Sequence, residues 1–128
     1  MNPQDLRYTE QHEWVRVDGR TATVGITDHA QKALGDITFV ELPDADQRVD
    51  KGGEVCAIES AKAASSIYAP AAGKVTEANA ALEDDPSKVN SDPYGDGWIY
   101  KLELSDPSQV ENLMDAAAYE ELLAREQD

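Results

Sequence analysis

One lysine in this chain stands where its amine could be chemically modified. Lys62 lies in Glu59-Ser60-Ala61-Lys62-Ala63-Ala64-Ser65, after the apolar run Val55-Cys56-Ala57-Ile58 and before Ile67-Tyr68-Ala69-Pro70. Two strand-like segments around a small-residue turn read as a hairpin. Ala61 and Ala63 leave the lysine protruding and sterically open. A flexible stem ending in an amine, on a rigid base, is what a modifying ligase must reach. On spacing alone the same lysine could simply be solvated.

The other reactive residue types offer less. Cys56 is the sole cysteine, so no intrachain disulfide forms; in its apolar run it reads as a buried strand thiol. His12 and His29 are far apart in the chain and have no cysteine partner, which argues against zinc, and His29 reads as a solvated helix residue. Glu83-Asp84-Asp85 lacks the alternating ligands and glycine of a calcium loop and reads as acidic surface. There is no phosphate-binding lysine loop, no Gly-x-Gly-x-x-Gly and no Gly-x-Ser-x-Gly. No nucleophile has an evident base and orienting group, so neither a catalytic residue nor a metal ligand is expected.

The elements that must position Lys62 are short strands broken by Gly, Pro, Asn and Asp. His12–Val17 alternates and ends at the turn signal Asp18-Gly19, with Thr21–Ile26 returning. Thr27 caps a helix through Leu34, stopped by Gly35, with Ala30, Ala33 and Leu34 at helical spacing. Strands follow over Ile37–Leu42, Val55–Glu59, Ser65–Ala69, Val75–Ala78 and Gly97–Leu104, and Val49–Glu54 reads as a turn. Short helical turns are predicted at Ala80–Leu82 and Pro86–Val89. Asp106-Pro107 starts a helix, and Asp115 caps another whose Tyr119, Leu122 and Leu123 share a face. The pattern predicts a mainly β fold, barrel or sandwich, with small peripheral helices.

Composition narrows the function. The 128 residues suit one domain. With 26 Asp plus Glu against 11 Lys plus Arg, the net charge is −15. That charge favours a soluble monomer, repels nucleic acid and anionic membranes, and suits partners with basic faces. It is equally compatible with adaptation to high salt. No apolar stretch is long enough to span a bilayer. Met1-Asn2-Pro3-Gln4-Asp5 shows no targeting pattern, which points to the cytoplasm of a prokaryote.

The segment around Lys62 closely resembles the lipoyl-lysine motif of the H-protein of the glycine cleavage system. Similar blocks run along nearly the whole chain: His12-Glu13-Trp14-Val15, Val24 to Gln31, Leu34-Gly35-Asp36-Ile37, Phe39 to Pro43, Tyr68-Ala69-Pro70, Gly73-Lys74-Val75, Asn79 with Leu82, Val89-Asn90, Asp92-Pro93-Tyr94-Gly95 and Gly97-Trp98. The resemblance implies a flattened barrel-sandwich hybrid of the lipoyl and biotinyl type. Residues 1–128 would form one lipoyl-carrier domain, with 106–128 as a C-terminal helical extension. It also implies lipoate in amide linkage to Lys62.

In that family the glycine decarboxylase (P-protein) loads an aminomethyl group onto the lipoyl sulfur. The aminomethyltransferase (T-protein) passes the one-carbon unit to tetrahydrofolate, and dihydrolipoamide dehydrogenase (L-protein) reoxidises the dithiol. The carrier itself is not a catalyst, and a lipoate ligase or a lipoyl or octanoyl transferase must load it. The family position of Glu13 implies a carboxylate that receives the folded-back arm; a solvated strand-end carboxylate is the plainer alternative. Ser66 stands where the family often has Asp, which implies weaker arm docking or more reliance on Glu13. Ala61 replaces a common Val. Asp46 replaces a common Gly, implying a turn that avoids positive φ or one where Asp tolerates it.

Rival readings are a lipoyl domain of a 2-oxoacid dehydrogenase acyltransferase, a biotinyl carrier, a relay of octanoyl or lipoyl groups, and an unmodified interaction module. The acyltransferase reading would call for a flexible linker and catalytic domain in place of the helical tail. A biotinyl carrier would place methionines, not Ala61 and Ala63, beside the lysine. The relay would use the same lysine and remains open on sequence.

Overall fold

Two antiparallel sheets make up most of the computed structural model, which describes residues 5–126. Most of the N-terminal segment read for targeting, and the last two residues of the predicted tail, lie outside the described residues. The chain begins with β1 (Arg7–Tyr8), which pairs with β2 (Glu13–Asp18). A tight turn at Gly19, with φ +65°, reverses into β3 (Thr21–Ile26). Glycine is suited there because a Cβ opposes that backbone conformation.

Helix α1 (Asp28–Leu34) starts at Thr27, whose side-chain oxygen accepts the Ala30 N–H, and stops at Gly35. Gly35 sits at φ +82°, ψ −157°, a region that is essentially glycine's alone. Both ends fall where the sequence placed them. The apolar face is different: Ala33 is exposed and Gln31 is buried. Gln31 goes inside because its amide donates to Asp28 and accepts from Asn90, so burial leaves its polar atoms paired.

Next come β4 (Ile37–Glu41), β5 (Arg48–Val49), β6 (Glu54–Ser60), β7 (Ala64–Tyr68) and β8 (Gly73–Ala78). The one-turn helices α2 (Ala81–Asp84) and α3 (Lys88–Ser91) lead to β9 (Tyr100–Leu104), then α4 (Ser108–Glu111) and α5 (Ala116–Glu126). One sheet has the order β1-β2-β3-β9-β8-β5 and the other β4-β6-β7. They do not close into a barrel. They share a core that includes Val24, Val40, Ile58, Ile67, Val75 and Leu102, giving the mainly β, flattened hybrid predicted from the sequence.

A second apolar cluster lies on the outer face of the larger sheet. Leu6, Tyr8 and Trp14 pack there against Ala116 and Tyr119 of α5. Consequently Glu13, Trp14 and Val15 are all buried, although simple alternation would expose one face of β2. Asp115 caps α5 by accepting the Ala118 N–H, as expected.

Most strand ends shift by a residue or two from the sequence reading, and some departures are larger. Val49, read as the start of a turn, instead joins Arg48 in a short strand on β8. β9 starts at Tyr100, because the Gly97 and Trp98 N–H groups bond back to the Asp92 and Gly95 carbonyls. β1 has no counterpart among the predicted elements; two residues are too few to show a period. Asp46 adopts φ +71°, so here Asp tolerates the position a glycine commonly holds.

Candidate functional site

Strands β6 and β7 carry Lys62 on their connecting turn, where it is exposed. The hairpin closes through Ser60 N–H to the Ala63 carbonyl at 2.8 Å. The Ser60 hydroxyl accepts the Lys62 and Ala63 N–H groups at 3.2 and 3.1 Å and donates to the Ala63 carbonyl at 3.1 Å. One serine thus satisfies the turn's backbone and leaves the lysine side chain uninvolved. Among the described residues Lys62 enters no ion pair.

The tip is also tied to the body. Ala61 N–H donates to the Asp36 carbonyl at 3.1 Å. Asn90 holds that loop: its amide donates to the Gly35 carbonyl at 2.9 Å, and its carbonyl oxygen accepts the Ile37 N–H at 2.9 Å. A Cβ on Gly35 would lie 3.4 Å from Lys62 Cε, so the absent side chain leaves a track along which the lysine stem runs.

Glu13 is at the other end of the same strand pair. Its side chain is 1% exposed, which rules out the solvated alternative. One carboxyl oxygen accepts the Thr9 hydroxyl at 3.0 Å, and the other accepts the Tyr68 N–H at 2.6 Å. Burial pushes the carboxyl up to about 7, against the downward pull of the Tyr68 and Thr9 donors. Cys56 and Tyr100 are close enough to feel its charge. Burial and Glu13 raise the Cys56 thiol to about 12, and both push Tyr100 well above the usual tyrosine range. The Tyr100 hydroxyl is buried with no hydrogen-bond partner among the described residues. Cys56 is the buried strand thiol the sequence suggested, and its raised thiol makes it a poor nucleophile.

Ser66 is half-buried on β7, two residues before Tyr68, so their side chains share a face. Its hydroxyl donates to the Glu54 carboxylate across the hairpin. A negative charge therefore reaches this position from Glu54 even though residue 66 itself is neutral.

The histidines lie nearer each other than their separation in the chain suggests. His29 is half-buried rather than freely solvated, and its ring lies 4.7 Å from that of His12. Packing of α1 against the β1–β2 turn joins residues that chain separation had kept apart.

A model of the family described as glycine cleavage H-protein matches residues 6–126. A glycine cleavage system H protein from Halorhodospira halophila is 56% identical over 126 residues, covering 97% of this chain and 96% of that one. The Myxococcus xanthus H protein is 54% identical over 121 residues, 94% of each. The chain belongs to the glycine cleavage H-protein family. The crystal structure of a glycine cleavage system H protein from Mycobacterium marinum superimposes with a TM-score of 0.88, at 37% identity, over 96% of this chain and 99% of that one.

Several family-like blocks acquire physical roles in this H-protein fold. In Asp92-Pro93-Tyr94-Gly95, the Pro93 carbonyl accepts the Trp14 indole N–H at 2.8 Å, and the Tyr94 hydroxyl accepts the Asp28 N–H at 2.9 Å. Gly25 admits the Trp14 ring, which a Cβ would meet at 2.7 Å. Sequence reasoning did not find Thr9, Glu54 or the brace from Asn90. Each acts on a partner tens of residues away or at a spacing shared with ordinary loops.

Proposed function

We propose that this chain is the lipoyl carrier of a glycine cleavage system, with lipoate in amide linkage to the Lys62 amine. The observation that carries this reading is a braced hairpin tip presenting an exposed lysine in a member of the H-protein family. Lys62 fits the attachment: its backbone is held by Ser60, its amine is unpaired among the described residues, and Gly35 leaves its stem unobstructed. When bound, the group supplies a reversible dithiol-disulfide couple that takes up the aminomethyl fragment of glycine and is afterwards reoxidised.

The protein's own residues position and shelter. Ser60, Asp36 and Asn90 limit the motion of the tip, which keeps the attached group concentrated near whichever enzyme has docked. Glu13, with Glu54 through Ser66, places carboxylates along the hairpin face that a cationic amine would seek; such a charge is costly to bury unpaired. Ala64 to Tyr68 rises about 13 Å at ~3.3 Å per residue, a span suited to a long arm folded along β7.

The partners in this reading are the glycine decarboxylase, the aminomethyltransferase, dihydrolipoamide dehydrogenase and a lipoylating enzyme. Each meets a surface of net charge −15, so basic docking faces are expected. Residues 1–128 act as one non-catalytic, monomeric carrier domain, with 106–128 as its helical extension, in the cytoplasm. No described helix is long and apolar enough to cross a membrane.

Intact-mass analysis of natively expressed protein tests the assignment. A single lipoyl-sized addition, mapped to Lys62 by peptide sequencing, is expected. An octanoyl addition alone would favour a relay of acyl groups, and an unmodified Lys62 in a lipoate-replete cell would overturn the carrier assignment.

A further inference from the structure

His12, His29 and Glu126 come from a turn, a helix start and the end of α5, yet they converge. One ligand-capable atom from each lies within 4.8 Å of the other two. His12 Nε2 is 3.1 Å from a Glu126 carboxylate oxygen. Around a tetrahedral zinc ion with bonds of about 2.0–2.2 Å, neighbouring nitrogen and oxygen donors lie roughly 3.3 Å apart. The pair therefore already has the separation of two ligands of one ion, and the His29 ring needs only a small shift to join them.

The supporting shell is also in place. His12 Nδ1 faces the Tyr119 hydroxyl at 2.8 Å, and Tyr119 is held in turn by the Thr27 hydroxyl at 2.7 Å. A ligating imidazole usually commits its second nitrogen to such a partner, which fixes the ring and directs the other lone pair at the metal. His12 is further held through its backbone, whose N–H donates to the Thr9 carbonyl at 3.1 Å and whose carbonyl accepts the Thr27 N–H at 3.0 Å. The His12 and Glu126 side chains are 20% and 41% exposed, so an ion has a path in from solvent.

We propose that His12, through Nε2, together with His29 and Glu126, forms a binding site for a divalent first-row transition ion of the zinc type. Three protein donors leave a coordination position for water. Two imidazoles and one carboxylate favour zinc, cobalt or nickel over magnesium or calcium, which prefer all-oxygen sites. Such an ion clasps the end of α5 to β2 and α1, the region that covers Tyr119 and the neighbour of Glu13.

Zinc chloride titrated into chelator-treated full-length protein, followed by calorimetry, tests this. The expected result is one equivalent bound at micromolar zinc, with equal affinity in wild type and Lys62→Arg, so that thiols of an attached group are not the ligands. His29→Ala is expected to weaken binding at least tenfold. That residue lies outside the Tyr119–His12–Glu126 chain, so the variant keeps the fold; Glu126→Gln should weaken binding similarly. Cobalt should give visible bands of moderate intensity that His29→Ala abolishes. Many weak equivalents, uptake equally displaced by magnesium, or affinity unchanged in both variants would mean only acidic surface is involved and would sink the proposal.

Discussion

At the tip of the β6–β7 hairpin, Lys62 is held by hydrogen bonds that reach no further than Ser60 and Ala63. At the far end of the same strand pair, Glu13 is held in part by Tyr68, fifty-five positions away. The tip is exposed, and its turn is closed by near neighbours with one further anchor, from Ala61 N–H to the Asp36 carbonyl. The Glu13 end is buried and depends on strands that only the folded sheets bring together. Modification chemistry needs the first arrangement, because an enzyme must reach the amine. Control of a charge needs the second, because only a dry site makes a carboxylate's environment matter. Substitutions should therefore separate the two ends: chemistry without stability at one, stability with pH dependence at the other.

The largest effect belongs to Lys62→Arg. The guanidinium keeps the charge but offers no amine to acylate. Lipoylation and glycine cleavage with the reconstituted partners should disappear, while unfolding stability stays within about 0.5 kcal/mol of wild type. Residual cleavage activity would break the assignment of Lys62, and a large stability loss would show that the lysine side chain bears on the fold.

Glu13→Gln probes the other end. The folded carboxyl titrates at about 7 against an ordinary value of 4.5, so the folded state holds its proton more tightly than the unfolded one. The associated stability is fully present below 4.5 and is lost as pH rises through about 7. At about 1.4 kcal/mol per unit, the loss is on the order of 3 kcal/mol. Relative to Glu13→Gln, wild type should lose that much between these two pH values, measured by urea unfolding at each. A gap between the two proteins that does not move with pH would show that the carboxyl is not desolvated as described.

Asn90→Ala tests the anchor between the tip and the body. It removes the bonds to the Gln31 side chain, the Gly35 carbonyl and the Ile37 N–H. At about 1 kcal/mol per bond, a loss of about 2–3 kcal/mol is expected, together with slower modification of Lys62 as the Asp36 anchor loosens. Lipoylation at the wild-type rate would mean Ser60 alone suffices. Ser60→Ala should destabilise by about 1 kcal/mol, less than Asn90→Ala. It should nevertheless raise hydrogen exchange at the Lys62 and Ala63 amides; unchanged exchange would remove Ser60 from the design of the turn.

The same contrast explains what could be read from residues alone. Thr27 and Gly35 bound α1, Gly19 turns β2 into β3, and small residues flank Lys62, because each acts on neighbours within a few positions. Glu13 and Ser66, proposed above to receive the arm, were singled out only by resemblance. Nothing near Glu13 in sequence signals that it is buried, since a carboxylate on an alternating strand normally faces water. The proximity of His12 and His29 was hidden for the same reason: a sequence separation carries no information about distance once a helix folds back over a strand. Gln31 entered the interior against its polarity because Asn90 was waiting as a partner.

By itself, the sequence determined the positions of most strands, the capped helices, the small-residue turn that carries Lys62 and the acidic charge. These follow from local backbone preferences, side-chain size and charge, which act without long-range contacts. Only the tertiary structure decided that Glu13 is dry, that Glu54 supplies charge beside Ser66, that Asn90 braces the hairpin, and that two histidines meet a glutamate. Those outcomes depend on which distant groups share a desolvated space, and desolvation exists only after the sheets and α5 have packed.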